Sequence, residues 1–199
     1  MKSPTVENLL AAYSQGAFPM AQEEENWEVY WYQPDPRTIL PLDEGFHVSK
    51  TLAATVRKNI FEIRFSTDFE GVMRKCAEPR GDDSGTWISE DLLQSYLELH
   101  RHGFAHSVEA YFEDELVGGL YGVSLGALFA GESMFHRKRD ASKVCLVALV
   151  QRLRKQGYLL HDTQFMTDHL RRFGAKEIPN TIYLERLERA MQKNCTFLV

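Results

Sequence analysis

The chain has 199 residues, 44% of them apolar and 12% aromatic, which is enough for a packed core and excludes a disordered protein. The formal net charge of −5 argues against a protein that wraps a long nucleic acid duplex. Local basic clusters, such as the run from Arg137 to Arg139, still allow contact with the end of a single strand.

The cysteine pattern and the length of the apolar runs indicate in which cellular compartment the protein works. The three cysteines, Cys76, Cys145 and Cys195, are odd in number and form no CxxC pair, which argues against a disulfide framework or a zinc site. No apolar run reaches the roughly 18 residues that a membrane span needs, and the first residues do not resemble a signal peptide. We therefore expect a cytoplasmic protein that binds neither a metal nor a membrane.

The first 35 residues differ from the rest. The segment "VENLLAAYS" predicts a short amphipathic helix that Gly16 closes. Pro34 and Pro36 each favour an extended residue before them and mark a boundary. The sequence thus predicts a small N-terminal subdomain over residues 1–35 and a main domain over residues 36–199.

The middle of the chain predicts a helix and then three strands. Ser89 is a helix cap, and Gly103 ends the apolar periodicity of "SEDLLQSYLELHRHG". The segments "FAHSVEAYF", "ELVGGLYGVS" and "ALFAGESMF" alternate as strands do, with turns at Glu113–Asp114 and Leu125–Gly126. An antiparallel meander is therefore expected.

A buried helix and a further strand follow the meander. Asp140 is predicted to cap the helix "ASKVCLVALVQRLRKQ", which Gly157 ends, and "YLLHDTQFM" then reads as a strand before a short helix from Thr167 to Gly174. The resulting α+β order resembles the GNAT acyltransferase fold. In that fold the two strands flanking the buried helix splay apart, and the acyl donor enters between them.

Three polar residues are predicted to meet in this cleft. Glu132 lies near the end of the third meander strand, within an otherwise apolar segment. Asp162 and Gln164 lie two residues apart on the next strand and share a face of the sheet, whereas His161 points to the opposite face. A cleft with two carboxylates and an amide is a candidate active site.

Seven motifs, in order and over nearly the whole chain, carry a more specific resemblance. They are "AYSQGAFPM", "PDPRTILPLDEGFHVSK", "GTWI", "AHSVEAYFEDELVGGLYGV", "GESMF", "DASK" and "DTQFMTDHLRRFGAKEIP". Together they resemble the bacterial leucyl/phenylalanyl-tRNA–protein transferases. The resemblance implies transfer of Leu, Phe or Met from the 3′ end of a charged tRNA to proteins that begin with Arg or Lys. Such transfer marks the acceptor for N-end-rule degradation and uses no cofactor, ATP or metal.

The resemblance also implies roles for individual residues. Asp162 and Gln164 match the catalytic groups, and Glu132 matches the residue that places the aminoacyl moiety. Trp87 and Met20 match residues that contact the terminal adenosine. The implied pocket for the transferred side chain consists of Leu120, Phe129, Met134, Leu146, Leu153 and His161. We expect a monomer.

The chain departs from the family pattern at three positions. His161 stands where an aliphatic residue is usual, Met20 where some members have Trp, and Asn180 where Arg is common. The departure at His161 leaves the preference among donor amino acids open, and the departure at Met20 leaves the affinity for adenosine open. His161 either lines the side-chain pocket or packs against the buried helix.

The expected chemistry is attack of a neutral α-amine on an activated ester. The site must hold the two groups about 3 Å apart, accept a proton and stabilise an oxyanion. Asp162 suits the amine, Gln164 can orient it or donate to the oxyanion, and Glu132 can attract the ammonium group of the donor.

Other interpretations remain open at this point. Without the resemblance, Glu132 and Asp162 could cap turns or helices, and Trp87 could belong to the core. An acetyl-CoA-dependent GNAT enzyme would carry a glycine-rich turn before the buried helix; this chain has "HRKRDASK" there, without glycine, which argues against coenzyme A. A non-catalytic module that binds a tRNA end is the second alternative.

Overall fold

A computed structural model describes residues 4–79 and 85–198. The helices are α1 (Val6–Ser14), α2 (Lys50–Lys58), α3 (Phe69–Ala77), α4 (Glu90–Arg101), α5 (Ala141–Gln156), α6 (Asp168–Arg171) and α7 (Asn180–Met191). The strands are β1 (Phe18–Gln22), β2 (Glu28–Tyr32), β3 (Arg37–Ile39), β4 (Glu62–Phe65), β5 (Ala105–Phe112), β6 (Glu115–Leu125), β7 (Leu128–His136), β8 (Leu160–Gln164) and β9 (Lys176–Ile178). A 3₁₀ turn covers Glu23–Glu25.

The architecture is mixed α/β around a mostly antiparallel sheet. Among the described residues the sheet has seven strands in the order β4-β5-β6-β7-β8-β3-β9, and β1 pairs with β2 in a separate hairpin. The predicted meander is confirmed as β5, β6 and β7. Its second turn is shifted by one residue from the prediction, because Leu125 pairs with Leu128 and leaves Gly126 and Ala127 in the turn.

The pairing of β7 with β8 creates an opening in the sheet. These strands run parallel, as strands joined through a crossover helix do, and their register ends after three pairs, with Ala130 opposite Asp162. Beyond that point β7 continues beside β6 as far as His136, whereas β8 pairs with β3. Glu132 and Gln164 therefore lie just beyond the point where the two strands separate.

The helix ends follow the predicted caps with one exception. The side chain of Ser89 accepts a hydrogen bond from the backbone N–H of Leu92 at the start of α4, and Gly157 ends α5 with a positive φ of 78°. Asp140 occupies the N-cap position of α5, but the prediction that its side chain caps the helix is wrong. Its φ is 65°, and its carboxylate accepts instead from Lys143 Nζ at 2.7 Å.

Hydrophobic clusters cover both faces of the sheet. Leu128 and Ala130 belong to one cluster, together with residues of α1, α3, α4 and α7, whereas Phe129 between them belongs to the other, with α2 and α5. Tyr13 of α1 lies in the first cluster with Tyr96 of α4, so the N-terminal segment packs directly on the sheet. This packing brings α1 to the opening between β7 and β8.

Several elements had no counterpart in the sequence analysis: the β1–β2 hairpin, β3, α2, β4, α3, β9 and α7. Within the described part of the chain, no helix is long and apolar enough to span a membrane. Over residues 4–79 and 85–198, no three His, Cys, Asp or Glu side chains come together as a metal site would require.

Candidate active site

A cavity of about 1080 Å³ opens where β7 and β8 separate. Glu132 and Gln164 line it from the two strands, and Trp87 and Met20 line it from the N-terminal side. Because the opening passes between the strands, residues from both faces of the sheet reach it, among them His161. The cavity therefore brings together most of the residues that the sequence analysis selected.

Glu132 is held by hydrogen bonds to its carboxylate. Tyr13 Oη donates to Oε1 at 2.7 Å, Gln164 Nε2 donates to the same oxygen at 3.0 Å, and Tyr96 Oη donates to Oε2 at 3.3 Å. The hydroxyls of Tyr13 and Tyr96 lie 2.5 Å apart. The two tyrosines thus fix the carboxylate at the wall of the cavity.

Burial raises the pKa of Glu132 to about 7, and the nearby charge of Asp162 acts in the same direction. The hydrogen bonds from Tyr13, Gln164 and Tyr96 oppose this rise, because they stabilise the charged form. A carboxyl group that titrates near neutral pH can both give and take a proton under physiological conditions.

Asp162 lies behind this site in a buried ion pair and does not line the cavity. Arg37 Nε and Nη2 donate to its two oxygens at 2.9 and 2.5 Å, and both side chains are almost fully buried. Tyr183 Oη donates to Oδ2 at 2.9 Å, and the backbone N–H of Gln164 donates to Oδ1 at 2.9 Å. Four donors therefore occupy the Asp162 carboxylate.

Gln164 has a strained backbone. Its φ is 60°, in the left-handed region that residues with a side chain rarely adopt. The next N–H, that of Phe165, donates to the carbonyl of Thr163 at 2.7 Å and closes a tight turn. Asp162 holds the Gln164 N–H, so this conformation directs the Gln164 amide towards Glu132. Strain of this kind persists where the surrounding structure enforces it, most often at functional sites.

The predicted side-chain pocket is only partly present in the cavity wall. Leu120, Met134, Leu146 and His161 line the cavity, whereas Phe129 and Leu153 do not. Phe129 is fully buried behind His161, with ring centroids 5.7 Å apart, and Leu153 is fully buried in the same hydrophobic cluster as Leu146. These two residues support the wall from the second layer.

His161 combines the two interpretations of its position. It faces the α5 side of the sheet beside Phe129 and also lines the cavity, with Nε2 next to Gly131. Its Nδ1 is buried, and no hydrogen-bond partner lies within the described residues. Burial lowers the pKa of His161 to about 4, so the ring is neutral near pH 7.

The sequence analysis missed four residues that hold the carboxylates: Tyr13, Arg37, Tyr96 and Tyr183. Tyr13 and Arg37 lie within two of the quoted motifs, so the motifs marked the segments but not the contacts. Tyr96 was read only as part of the apolar face of a helix. For Tyr183 the sequence offered no signal, because its partner, Asp162, lies 21 residues away.

Comparisons with known proteins identify the family. The family model of the leucyl/phenylalanyl-tRNA protein transferases matches residues 39–188, and the model of their N-terminal domain matches residues 3–35. The chain belongs to this family. The resemblance read from the motifs is confirmed, and the protein is an aminoacyltransferase.

A curated relative agrees with this assignment. Over 189 residues the chain is 54% identical to the leucyl/phenylalanyl-tRNA–protein transferase of Herpetosiphon aurantiacus, and the match covers 95% of both chains.

Two solved structures are more distantly similar. L-PGS from Bacillus licheniformis is 16% identical with a TM-score of 0.42, over 81% of this chain. The C-terminal domain of a putative lysylphosphatidylglycerol synthetase from Agrobacterium fabrum is 11% identical with a TM-score of 0.38, over 92% of this chain. The matches cover 54% and 55% of those two longer chains.

Proposed function

We propose that this member transfers Leu or Phe, and also Met, from aminoacyl-tRNA to the N-terminal α-amine of proteins that begin with Arg or Lys. Such transfer would mark these proteins for degradation by the N-end rule. The observation that carries the proposal is the hydrogen bond from Gln164 Nε2 to Glu132 Oε1, 3.0 Å long, at a cavity between two separating strands. This arrangement supplies a proton acceptor and an amide donor at one point.

We infer that Glu132, rather than Asp162, takes the proton of the attacking amine. The amine nitrogen attacks the ester carbonyl, a C–N bond forms, and the amine loses a proton to Glu132, whose pKa of about 7 suits this transfer. When the C–O bond to the ribose breaks, the protonated Glu132 gives this proton to the ribose oxygen, which restores the carboxylate. The four donors around Asp162 leave it no room for the amine, so it is a positioning residue for Gln164.

Gln164 keeps the role expected of it. Its amide can orient the attacking amine or donate to the oxyanion, since it carries both an acceptor and a donor. It does not act as a base, because a carboxamide does not protonate in this pH range. We place the transferred side chain against Leu120, Met134, Leu146 and His161, and the terminal adenosine against Trp87 and Met20. An acceptor with a cationic first residue suits the ionised form of Glu132.

The arrangement of the whole chain supports three further parts of the proposal. The short parallel pairing of β7 with β8, joined through α5, favours a GNAT-like main domain at residues 36–199 and a small N-terminal subdomain at residues 1–35. We further propose that the protein is a cytoplasmic monomer that requires neither metal nor cofactor.

The direct test is incubation with labelled Leu-tRNA or Phe-tRNA and a peptide that begins with Arg. We expect label in the peptide without ATP, metal or coenzyme A, and none in a matched peptide whose α-amine is acetylated. Consumption of labelled acetyl-CoA without use of the charged tRNA would support an acetyltransferase instead. Binding of the tRNA without transfer would support a non-catalytic module.

The substitution His161→Ile tests the side-chain pocket. An aliphatic side chain there should improve kcat/KM for Leu or Met donors by about 10- to 200-fold, since a methylene-sized fit in an apolar pocket is worth roughly 1–3 kcal/mol. Because the ring is already neutral, its titration should not affect donor use between about pH 6 and 8. Changed thermal stability with an unchanged Leu-to-Phe preference would contradict the pocket assignment.

A further inference from the structure

Phe165 is an exposed aromatic residue at the edge of the proposed active site. Its side chain is 45% exposed, it directly follows Gln164, and it lines the same cavity as Glu132. Trp31 is exposed to a similar degree, 44%, but is not part of the cavity wall. The position of Phe165, rather than its exposure alone, points to a ligand.

The ring of Phe165 contacts one aromatic neighbour and remains partly exposed. Its centroid lies 5.7 Å from that of Phe18, and the ring planes cross at 82°, so Phe18 can cover at most one face. Phe18 is itself 1% exposed, and the guanidinium of Arg37 lies 4.8 Å from its centroid. Phe165 therefore rests on a fixed neighbour while presenting a free face.

Phe165 meets the N-terminal part of the cavity wall through Phe18 of β1. Met20 lies two residues from Phe18 on β1 and so shares its face of the strand, and both residues line the cavity. The backbone N–H of Ala21 donates to the carbonyl of Trp87 at 3.1 Å, which ties Trp87 to the same strand. Phe165 thus contacts β1 through Phe18 and lines the same cavity as Met20 and Trp87.

We propose that the terminal adenine of the donor stacks on Phe165, which would be a third adenosine-binding residue beside Trp87 and Met20. The inference rests on the proposed function, which places that adenosine in this cavity. Every donor tRNA ends in the same adenosine, whereas acceptor proteins differ after their first residue. A fixed, planar and uncharged surface suits the constant ligand, and aromatic stacking is the usual way to hold an unpaired base.

The experiment compares leucyl-adenosine, esterified at the ribose, with a leucyl ribose that lacks the base, using a peptide that begins with Arg. We expect Phe165→Ala to raise KM for leucyl-adenosine about tenfold, a typical loss for one stacked base. Phe165→Leu should resemble Phe165→Ala, because it restores apolar volume without a ring, and Phe165→Trp should resemble the wild type. KM for the donor without a base should be similar in all four proteins, and Trp31→Ala serves as the control with matched exposure.

Two kinetic results would overturn the inference. An equal rise of KM for both donors would indicate a structural effect, and a rise of KM for the peptide alone would assign Phe165 to the acceptor. If the wild type transfers from no donor, the proposed function fails, but calorimetric titration with AMP still tests Phe165. About tenfold weaker binding of AMP to Phe165→Ala would support the inference, and equal binding would refute it.

Discussion

Replacing Glu132 with Gln should lower kcat/KM for transfer by about 10²-fold or more at pH 8, within the range of general acid–base contributions. Gln keeps the shape of the side chain and can still accept from Tyr13, but it cannot take up a proton. In the wild type the rate should rise with pH through about 7, the pKa of Glu132, as the carboxyl group becomes ionised. The variant should lose this rise and retain only the one due to the acceptor amine, near pH 7.7 to 8.0.

The same substitution should stabilise the protein at pH 8. The native carboxyl group holds its proton up to about pH 7, whereas in the unfolded chain it releases the proton near pH 4.3. Between these values the native state binds more protons, so the free energy of unfolding of the wild type falls as pH rises. Glu132→Gln should avoid this loss and gain about 3–4 kcal/mol at pH 8, with no gain near pH 4.

Rate profiles and chemical denaturation at both pH values check these expectations. Tyr30→Phe is a suitable control, since it removes a phenol that hydrogen-bonds the exposed Glu25 and does not line the cavity. A folded Glu132→Gln protein that transfers at the wild-type rate would remove Glu132 from the reaction.

Replacing Asp162 with Asn should lower both stability and transfer. The substitution leaves the fully buried guanidinium of Arg37 without its counter-charge, and breaking a buried pair in this way typically costs about 3–5 kcal/mol. It also weakens the acceptor that holds the N–H of Gln164 in its strained conformation. We expect transfer to fall by about 10²-fold because the Gln164 amide is no longer directed towards the reacting groups.

A second variant separates these two effects. Arg37→Gln combined with Asp162→Asn removes both charges, so it should unfold at a higher denaturant concentration than Asp162→Asn alone. Transfer should stay low in the double variant, because Gln164 still lacks its carboxylate anchor. Recovery of activity together with stability would show that Asp162 acts only through folding. Transfer at the wild-type rate by folded Asp162→Asn would exclude Asp162 both as a catalytic residue and as a positioning residue.

The sequence determined the elements whose signals are local. Ser89 caps α4 through the N–H three residues later, and Gly157 ends α5, since caps and left-handed turns depend on a few neighbouring residues. The alternation of side chains likewise placed Asp162 and Gln164 on one face of β8 and His161 on the other. The seven motifs also indicated the family, because both their residues and their order along the chain are contained in the sequence.

Long-range packing determines which of the selected residues line the cavity. Asp162 and Glu132 look alike in sequence, as carboxylates in apolar strands, yet Arg37 and Tyr183 enclose the first, while the second meets a cavity. Those partners lie 125 and 21 residues from Asp162, so no local pattern reveals them. The pKa of Glu132 depends on burial between strands that separate after three pairs, which only the assembled sheet defines. The protonation state of Glu132 is therefore a property of long-range packing, which the local sequence does not encode.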